Sequence, residues 1–506
     1  MNLQQAFIHC VSRAARFSLL GITLGLTCIL LICSYNLFFH PLRNVPGPFL
    51  ARISRLWTRI GNYNGVKAHR IHAAHQRYGN IVRVSPNELS FADPAAVREI
   101  YMSDAFAKEE TFYRAKRVFH EEMIMSLRDQ DAHKARRKML SRGFSQAAML
   151  DFESTIADKT QVLMDQWARL GADGKPVDVY PWCLWLGFDT VYHLMFDEDP
   201  GSLRQGRAPD VMKYLRAWRP LFTYKEFVPQ LEQYGVHLPG NVGNNFRLVE
   251  EWKNMAMKLV QNLRTRGSTT PFLRFALAEK DAHLGRPLTD SELAEEAMGG
   301  MFGGTGTTGN TFVYLLWGVL QQPSVTKKLR EELQQVSEGR DETPSYTALA
   351  QLPFLQACLN ETLRLYPTII ATLPRTALRD TTVCGVAVPR GTIVGTQNYT
   401  LHRSASAFPQ PEAFMPERWL DSQGRLKDDE RMKEAFVPFS VGPRKCIGLN
   451  LAQMELTKAT AAFFLRFQRA EVDWDAMREG DMDMFDCFSA SPRGTKLILK
   501  LWEKSS

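Results

Sequence analysis

The sequence predicts a mainly helical fold with a minor β region, set behind an N-terminal transmembrane helix. Three observations carry this expectation. Long stretches repeat apolar residues at helical spacing, two short regions alternate at strand spacing, and 23 consecutive residues from Phe17 to Phe39 carry no charge. At 506 residues and 45% hydrophobic, the chain can bury a large core.

The uncharged run comes first. A bilayer takes roughly 20 apolar residues as a helix, and a cleavable signal has a shorter apolar region of about 7–15 with a small-residue cleavage site. An uncleaved anchor at about 17–39 is therefore expected. Arg13 and Arg16 precede it, while Arg43, Arg52, Arg55 and Arg59 follow it, which places the body on the cytosolic side. Asn360-Glu361-Thr362 and Asn398-Tyr399-Thr400 then read as chance sequons. Pro41-Leu42-Arg43-Asn44-Val45-Pro46-Gly47-Pro48 cannot continue a helix, because proline removes donors and fixes φ. No repeat or second linker follows, so residues 1–40 form the anchor region and 41–506 one domain.

Within that domain, Ile81–Val84 and Glu88–Phe91 flank Pro86-Asn87 as a hairpin. A second strand region spans Thr382–Val388 and Thr392–Thr396, interrupted by Pro389 and Gly391. Residues 130–170, 246–266, 289–320, 324–337, 355–365 and 449–464 read as helices. Thr289-Asp290-Ser291-Glu292 supplies a capping box for the third of these.

The eight cysteines, Cys10, Cys28, Cys33, Cys183, Cys358, Cys384, Cys446 and Cys487, show neither C-x-x-C pairing nor zinc spacing, which favours a reducing compartment for the main body. A net charge of +8 is too dilute for nucleic acid and suits an acidic partner or anionic lipid.

The most informative segment is Phe439-Ser440-Val441-Gly442-Pro443-Arg444-Lys445-Cys446-Ile447-Gly448. A thiolate ligand must stay deprotonated, which needs N–H donors and the positive end of a following helix near the sulfur. Gly442 and Gly448 let the backbone approach a flat group, Arg444 can pair with an anion, and Phe439 covers the sulfur side. An isolated cysteine is usually only a packing residue. The second unusual run is Gly299-Gly300-Met301-Phe302-Gly303-Gly304-Thr305-Gly306-Thr307-Thr308-Gly309, whose glycines each cost up to ~1 kcal/mol in a helix. Close approach to a large flat cofactor is one way to offset that cost.

The cysteine loop resembles the haem-binding loop of the cytochrome P450 family. Gly303 to Thr308 resembles that family's oxygen-activation segment, which places Gly303 and Gly304 against the cofactor and Thr307 where it hydrogen-bonds dioxygen and helps deliver protons. The family's acid before this threonine is replaced by Gly306, leaving three options: a water chain, a substitute acid, or an unusual oxidation. The water chain is the preferred one. Glu361-Thr362-Leu363-Arg364 resembles the family's Glu-x-x-Arg pair, completed by Arg418 in Pro416-Glu417-Arg418-Trp419 as a buried triad. The four motifs stand in the family's order across essentially the whole chain.

The resemblance further implies haem b (iron protoporphyrin IX) ligated by Cys446, with His133, Arg137, Arg375 and Arg444 toward the propionates. Many relatives have Trp at the first of these positions. Lys134, Arg136 and Lys138 read as a solvated basic face, with reductase docking as the alternative. The expected function is a monooxygenase on the cytosolic face of the endoplasmic reticulum. It would receive electrons from NADPH-cytochrome P450 reductase, with cytochrome b5 as an accessory donor, and oxidise an apolar small molecule in the style of fungal terpenoid, polyketide or alkaloid tailoring. By family position, substrate contacts fall in Phe106–Leu127, Trp218–Phe246, Met298, Met301, Phe302, Thr368–Leu373 and Phe485–Ser491. Two rivals stand beside this reading: a reductase-independent haem-thiolate isomerase or dehydratase, which the presence of Thr307 disfavours, and a non-catalytic membrane haem sensor or scaffold, which Gly306 alone encourages.

Overall fold

The computed structural model describes residues 20–337 and 343–503, so Cys10, Arg13, Arg16 and the start of the uncharged run lie outside the described residues. The helix Leu20–Phe39 is long and apolar enough to cross a membrane. Its last turn, Tyr35–Phe39, is π-helical. Asn36 Nδ2 donates to the Ile53 carbonyl at 3.2 Å, and Arg83 Nη1 donates to the Asn36 carbonyl at 2.9 Å. This apolar helix thus ends in hydrogen bonds to Ile53 and Arg83.

The first strand region and the end of the second meet in one sheet. Ile81–Ser85 pairs antiparallel with Glu88–Phe91, and Ile393–Thr396 lies parallel to Glu88–Phe91. Arg375–Ala377 and Phe106–Lys108 complete its five strands. Thr381–Val383 and Val386–Val388 form a separate hairpin, turned by Cys384 and Gly385 at φ of 44° and 75°. A three-stranded sheet of Pro176–Asp178, Ile498–Glu503 and Phe467–Val472 was not anticipated.

The expected helix over 130–170 is four pieces: Gln130–Leu140, the 3-10 turn Ser141–Phe144, Gln146–Asp151 and Glu153–Leu170. Ser145 breaks it, being extended and accepting the Ala148 amide as an N-cap. Gly143 lets the turn sit against the helix Pro271–Ala278, since a Cβ there would come within 2.7 Å of Phe272 Cα. The helix expected from 246 begins earlier, at Gly240.

At the centre, the 31-residue helix Asp290–Leu320 packs against Tyr180–Phe196, both buried over most of their length. The capping box of Thr289 and Glu292 starts the first of these. Gly187 and Gly309 make the approach possible. A Cβ on Gly187 would lie 2.9 Å from the Thr305 carbonyl oxygen, and one on Gly309 would lie 2.8 Å from that of Cys183.

Candidate active site around Cys446 and Thr307

The glycine run divides by role. Gly299 faces Met123, Gly300 faces Met195 and Gly304 faces Val191, so these three offset their cost by admitting neighbouring side chains. At Gly304, expected against a cofactor, a Cβ would meet Val191 at 2.9 Å. Gly303 has no atom within 4 Å of its Cβ position and is exposed in the middle of an otherwise buried helix. One turn on, Thr307 Oγ1 donates to the Gly303 carbonyl, which commits its proton to the helix and leaves lone pairs free to accept.

The cysteine loop is closed by its own backbone. The Cys446 amide donates to the Phe439 carbonyl at 2.9 Å, and the Lys445 amide to the Gly442 carbonyl at 3.1 Å. Gly442 takes φ of 71°, and a Cβ there would lie 2.7 Å from the Tyr101 carbonyl oxygen. Its close approach is therefore to protein backbone, not to a flat group. Gly448 has open space about its Cβ position, and it precedes the helix Leu449–Arg466. Phe439 is half-buried. Cys446 retains an exposed face. Burial by the surrounding protein pushes its thiol up, opposed by the Gly448 amide, Arg137 and Lys445. Those three are the donor and the cations that a thiolate at this position requires.

The basic residues converge on one buried region. Arg444 donates to the Leu127 and Arg128 carbonyls at 2.6 and 2.8 Å, Arg137 to the Lys445 carbonyl at 2.6 Å, and Arg375 to the Tyr113 hydroxyl at 2.6 Å. His133 is buried, and its imidazole is pushed down to about 2 by burial and by Lys108, Arg444, Arg137 and Arg375. Lys108, which sequence reasoning missed, donates to the Ile124 and Met125 carbonyls at 2.9 and 2.7 Å. Burial, Arg444 and Arg375 hold its ammonium well below the usual lysine range, with Glu296 and Glu122 opposing. His133, Lys108 and Arg444 are each depressed by burial and by basic neighbours, a concentration of positive charge that suits an anion.

Arg136 behaves differently from its neighbours. The exposed Lys134 and Lys138 fit a solvated face, but Arg136 is buried and pairs with Asp281 at 2.7 Å and Glu296 at 2.5 Å. The reading of Arg136 as solvent-facing is corrected. Its helix face turns inward because Ala132, His133, Met139 and Leu140 are also buried.

Behind the cysteine loop, Glu361 Oε2 accepts from Arg364 Nε at 2.8 Å and from Trp419 Nε1 at 2.9 Å, while Oε1 accepts from Arg418 Nε at 3.0 Å and the Met415 amide at 2.7 Å. Arg364 also holds the His402 carbonyl at 2.9 Å. His402 Nε2 in turn accepts from the Val437 amide at 3.1 Å, two residues before Phe439. The triad thus braces the start of the loop.

A cavity of about 470 Å³ is lined by Phe112, Lys116, Phe222 and Phe488 among others. Phe302 joins these rings: it stacks on Phe488 with centroids 5.6 Å apart and meets Phe222 and Trp218 edge-on at 5.0 and 4.6 Å. Met298 and Met301 are buried in the main hydrophobic core.

The sequence matches known proteins along most of its length. The profile described as Cytochrome P450 matches residues 51–497. The chain belongs to the cytochrome P450 family. It is 28% identical to cytochrome P450 monooxygenase tazI of Aspergillus terreus over 472 residues, 92% of this chain and 95% of that protein. It is 28% identical to benzoate 4-monooxygenase bphA of Aspergillus niger over 514 residues, 95% and 97% of the two chains. With cytochrome P450 monooxygenase atr2 of Stereocaulon alpinum it shares 27% over 494 residues, 93% and 96%. This P450 is a monooxygenase with a haem cofactor, as the fungal relatives and the family indicate. The residues present fit that group: a thiol flanked by an amide and cations, an open glycine on the helix Asp290–Leu320, and basic residues gathered around His133 that suit carboxylates.

Proposed function

We propose that this P450 binds haem b through the Cys446 thiolate and oxidises a small molecule with an apolar body, using electrons from NADPH through a membrane flavoprotein reductase. The overall balance is RH + O2 + NADPH + H⁺ giving ROH + H2O + NADP⁺. The bound group supplies the oxygen-reducing chemistry, and thiolate donation favours O–O cleavage. Phe439, Gly448 and Arg137 shape the sulfur side. His133, Arg137, Arg375 and Arg444, joined by Lys108, would hold the propionates in charge-assisted hydrogen bonds. Thr307 Oγ1, its own proton held by the Gly303 carbonyl, would accept a hydrogen bond from the donor that delivers protons in the site.

The observation that carries this reading is the thiol of Cys446 between the Gly448 amide and the cations Arg137 and Lys445, supported by the open Gly303 position one turn before Thr307. The ring cluster of Phe112, Phe222, Phe302 and Phe488 supports an apolar substrate body, with Lys116 and Arg219 at the cavity wall. The fungal relatives support a place in secondary metabolism, of the terpenoid, polyketide or alkaloid kind. Anchoring by Leu20–Phe39 supports the cytosolic face of the endoplasmic reticulum, where cytochrome b5 can assist electron delivery. The test is reconstitution with reductase, NADPH and labelled dioxygen over a panel of aromatic acids and terpenoids. Label in the product at the expense of NADPH supports the reading. Turnover independent of NADPH would make the protein an isomerase or dehydratase, and haem binding without turnover across the panel a sensor or scaffold.

A further inference from the structure

One buried hydroxyl beside the Gly-rich helix has no protein partner. Ser489 is 7% exposed, and its Oγ makes no hydrogen bond. It lies 3.4 Å from the point that a Cβ on Gly306 would occupy. Burying a hydroxyl without a partner costs stability, so native structures pair such groups with protein or with ordered water.

The hydroxyl is held in place from both sides. Ser489 follows Phe488, whose φ of 76° is unusual for a non-glycine residue. The Ser489 carbonyl accepts from Cys487 Sγ at 3.0 Å and from Arg219 Nη2 at 3.4 Å, and the next amide, of Ala490, donates to the Thr368 carbonyl at 2.6 Å. Across from it, position 306 offers no side chain. Position 307 offers a hydroxyl whose proton is committed to Gly303, so it can only accept from outside.

We propose that Ser489 holds an ordered water beside Gly306, that this water donates a hydrogen bond to Thr307 Oγ1, and that it delivers protons to the oxygen being reduced in the site. The inference rests on the monooxygenase reading and deepens it. In the balance RH + O2 + NADPH + H⁺ giving ROH + H2O + NADP⁺, one C–H bond breaks, C–O and O–H bonds form, and NADPH gives both electrons. The held water gives up one proton and regains one from solvent, so it is not consumed. Ser489 is a positioning residue for that water. Gly306 provides the room, which any larger side chain would take.

The experiment uses the purified full-length protein as wild type, Ser489→Ala, Ser489→Thr and Gly306→Asp with Ser489→Ala, with three readouts. A crystal structure locates the water, thermal melting reports the cost of the hydroxyl, and peroxide released per NADPH oxidised reports proton delivery. Ser489→Ala is expected to lose the water without a rise in Tm and to raise the peroxide-to-product ratio about tenfold. That is below the ~100-fold typical of a direct general acid, because the hydroxyl acts through water. Ser489→Thr and the Gly306→Asp double variant are expected to restore the ratio. No water near Ser489 in the wild type, a higher Tm in Ser489→Ala, or an unchanged peroxide ratio overturns the proposal. If the wild type itself never turns over, the monooxygenase reading fails, while the crystallographic and melting results still decide whether Ser489 holds water.

Discussion

The carboxylate of Glu361 and the guanidinium of Arg364 meet edge to edge inside the fold, Nε 2.8 Å from Oε2 and Nη2 2.9 Å from Oε1, with both side chains wholly buried. Arg418 reaches the same carboxylate at 3.0 Å. Removing the acid leaves two buried cations without it. Glu361→Ala is therefore expected to cost about 3–5 kcal/mol, measurable by denaturant unfolding. Because Arg364 reaches the cysteine loop through His402, haem retention falls as well.

The glycines of Asp290–Leu320 separate into two stability classes. Gly303 faces open space, so Gly303→Ala gains helix propensity and is expected to stabilise the haem-free protein by up to ~1 kcal/mol. Gly309 abuts the backbone of Cys183 and Leu184, so Gly309→Ala is expected to destabilise by about 1–3 kcal/mol through overpacking. Melting both variants without haem checks the opposite signs.

Lys108 provides a test of the buried basic cluster. Lys108→Met removes one cation from a region that the others already make unfavourable for it. The account predicts faster haem transfer to an acceptor apoprotein by about 10–100-fold, the equivalent of one charged hydrogen bond. Unchanged transfer would mean that Lys108 does not face the propionates.

Glu455 sets a pH dependence. Burial pushes its carboxyl up from 4.5 to about 8, against opposing interactions with Thr190 and Lys159. The folded state binds this proton more tightly than the unfolded chain. Its contribution is fully present below the unfolded value, falls as pH rises, and is lost above about 8. Glu455→Gln is expected to flatten the loss of stability across that window in urea titrations at stepped pH.

Much of this was legible in the sequence because local chemistry fixed it. Cys446 and its loop, Glu361 with Arg364, and the Thr289 capping box each declare themselves within a few residues. What escaped depends on distance. Lys108 joins His133 and Arg444 only because Phe106–Lys108 pairs with Arg375–Ala377. Arg136 looked like its solvated neighbours until Asp281 and Glu296 closed on it from far along the chain. Gly304 carried the right residue type for a cofactor contact, and only the crossing of Tyr180–Phe196 shows that a Cβ there would meet Val191.

The most direct test of the central claim is the reduced carbon-monoxide difference spectrum of the full-length protein in detergent, recorded beside Cys446→Ser. The account predicts a red-shifted Soret band typical of thiolate ligation in the wild type, lost in the variant. A band typical of histidine-ligated haem, or one that survives Cys446→Ser, would contradict it.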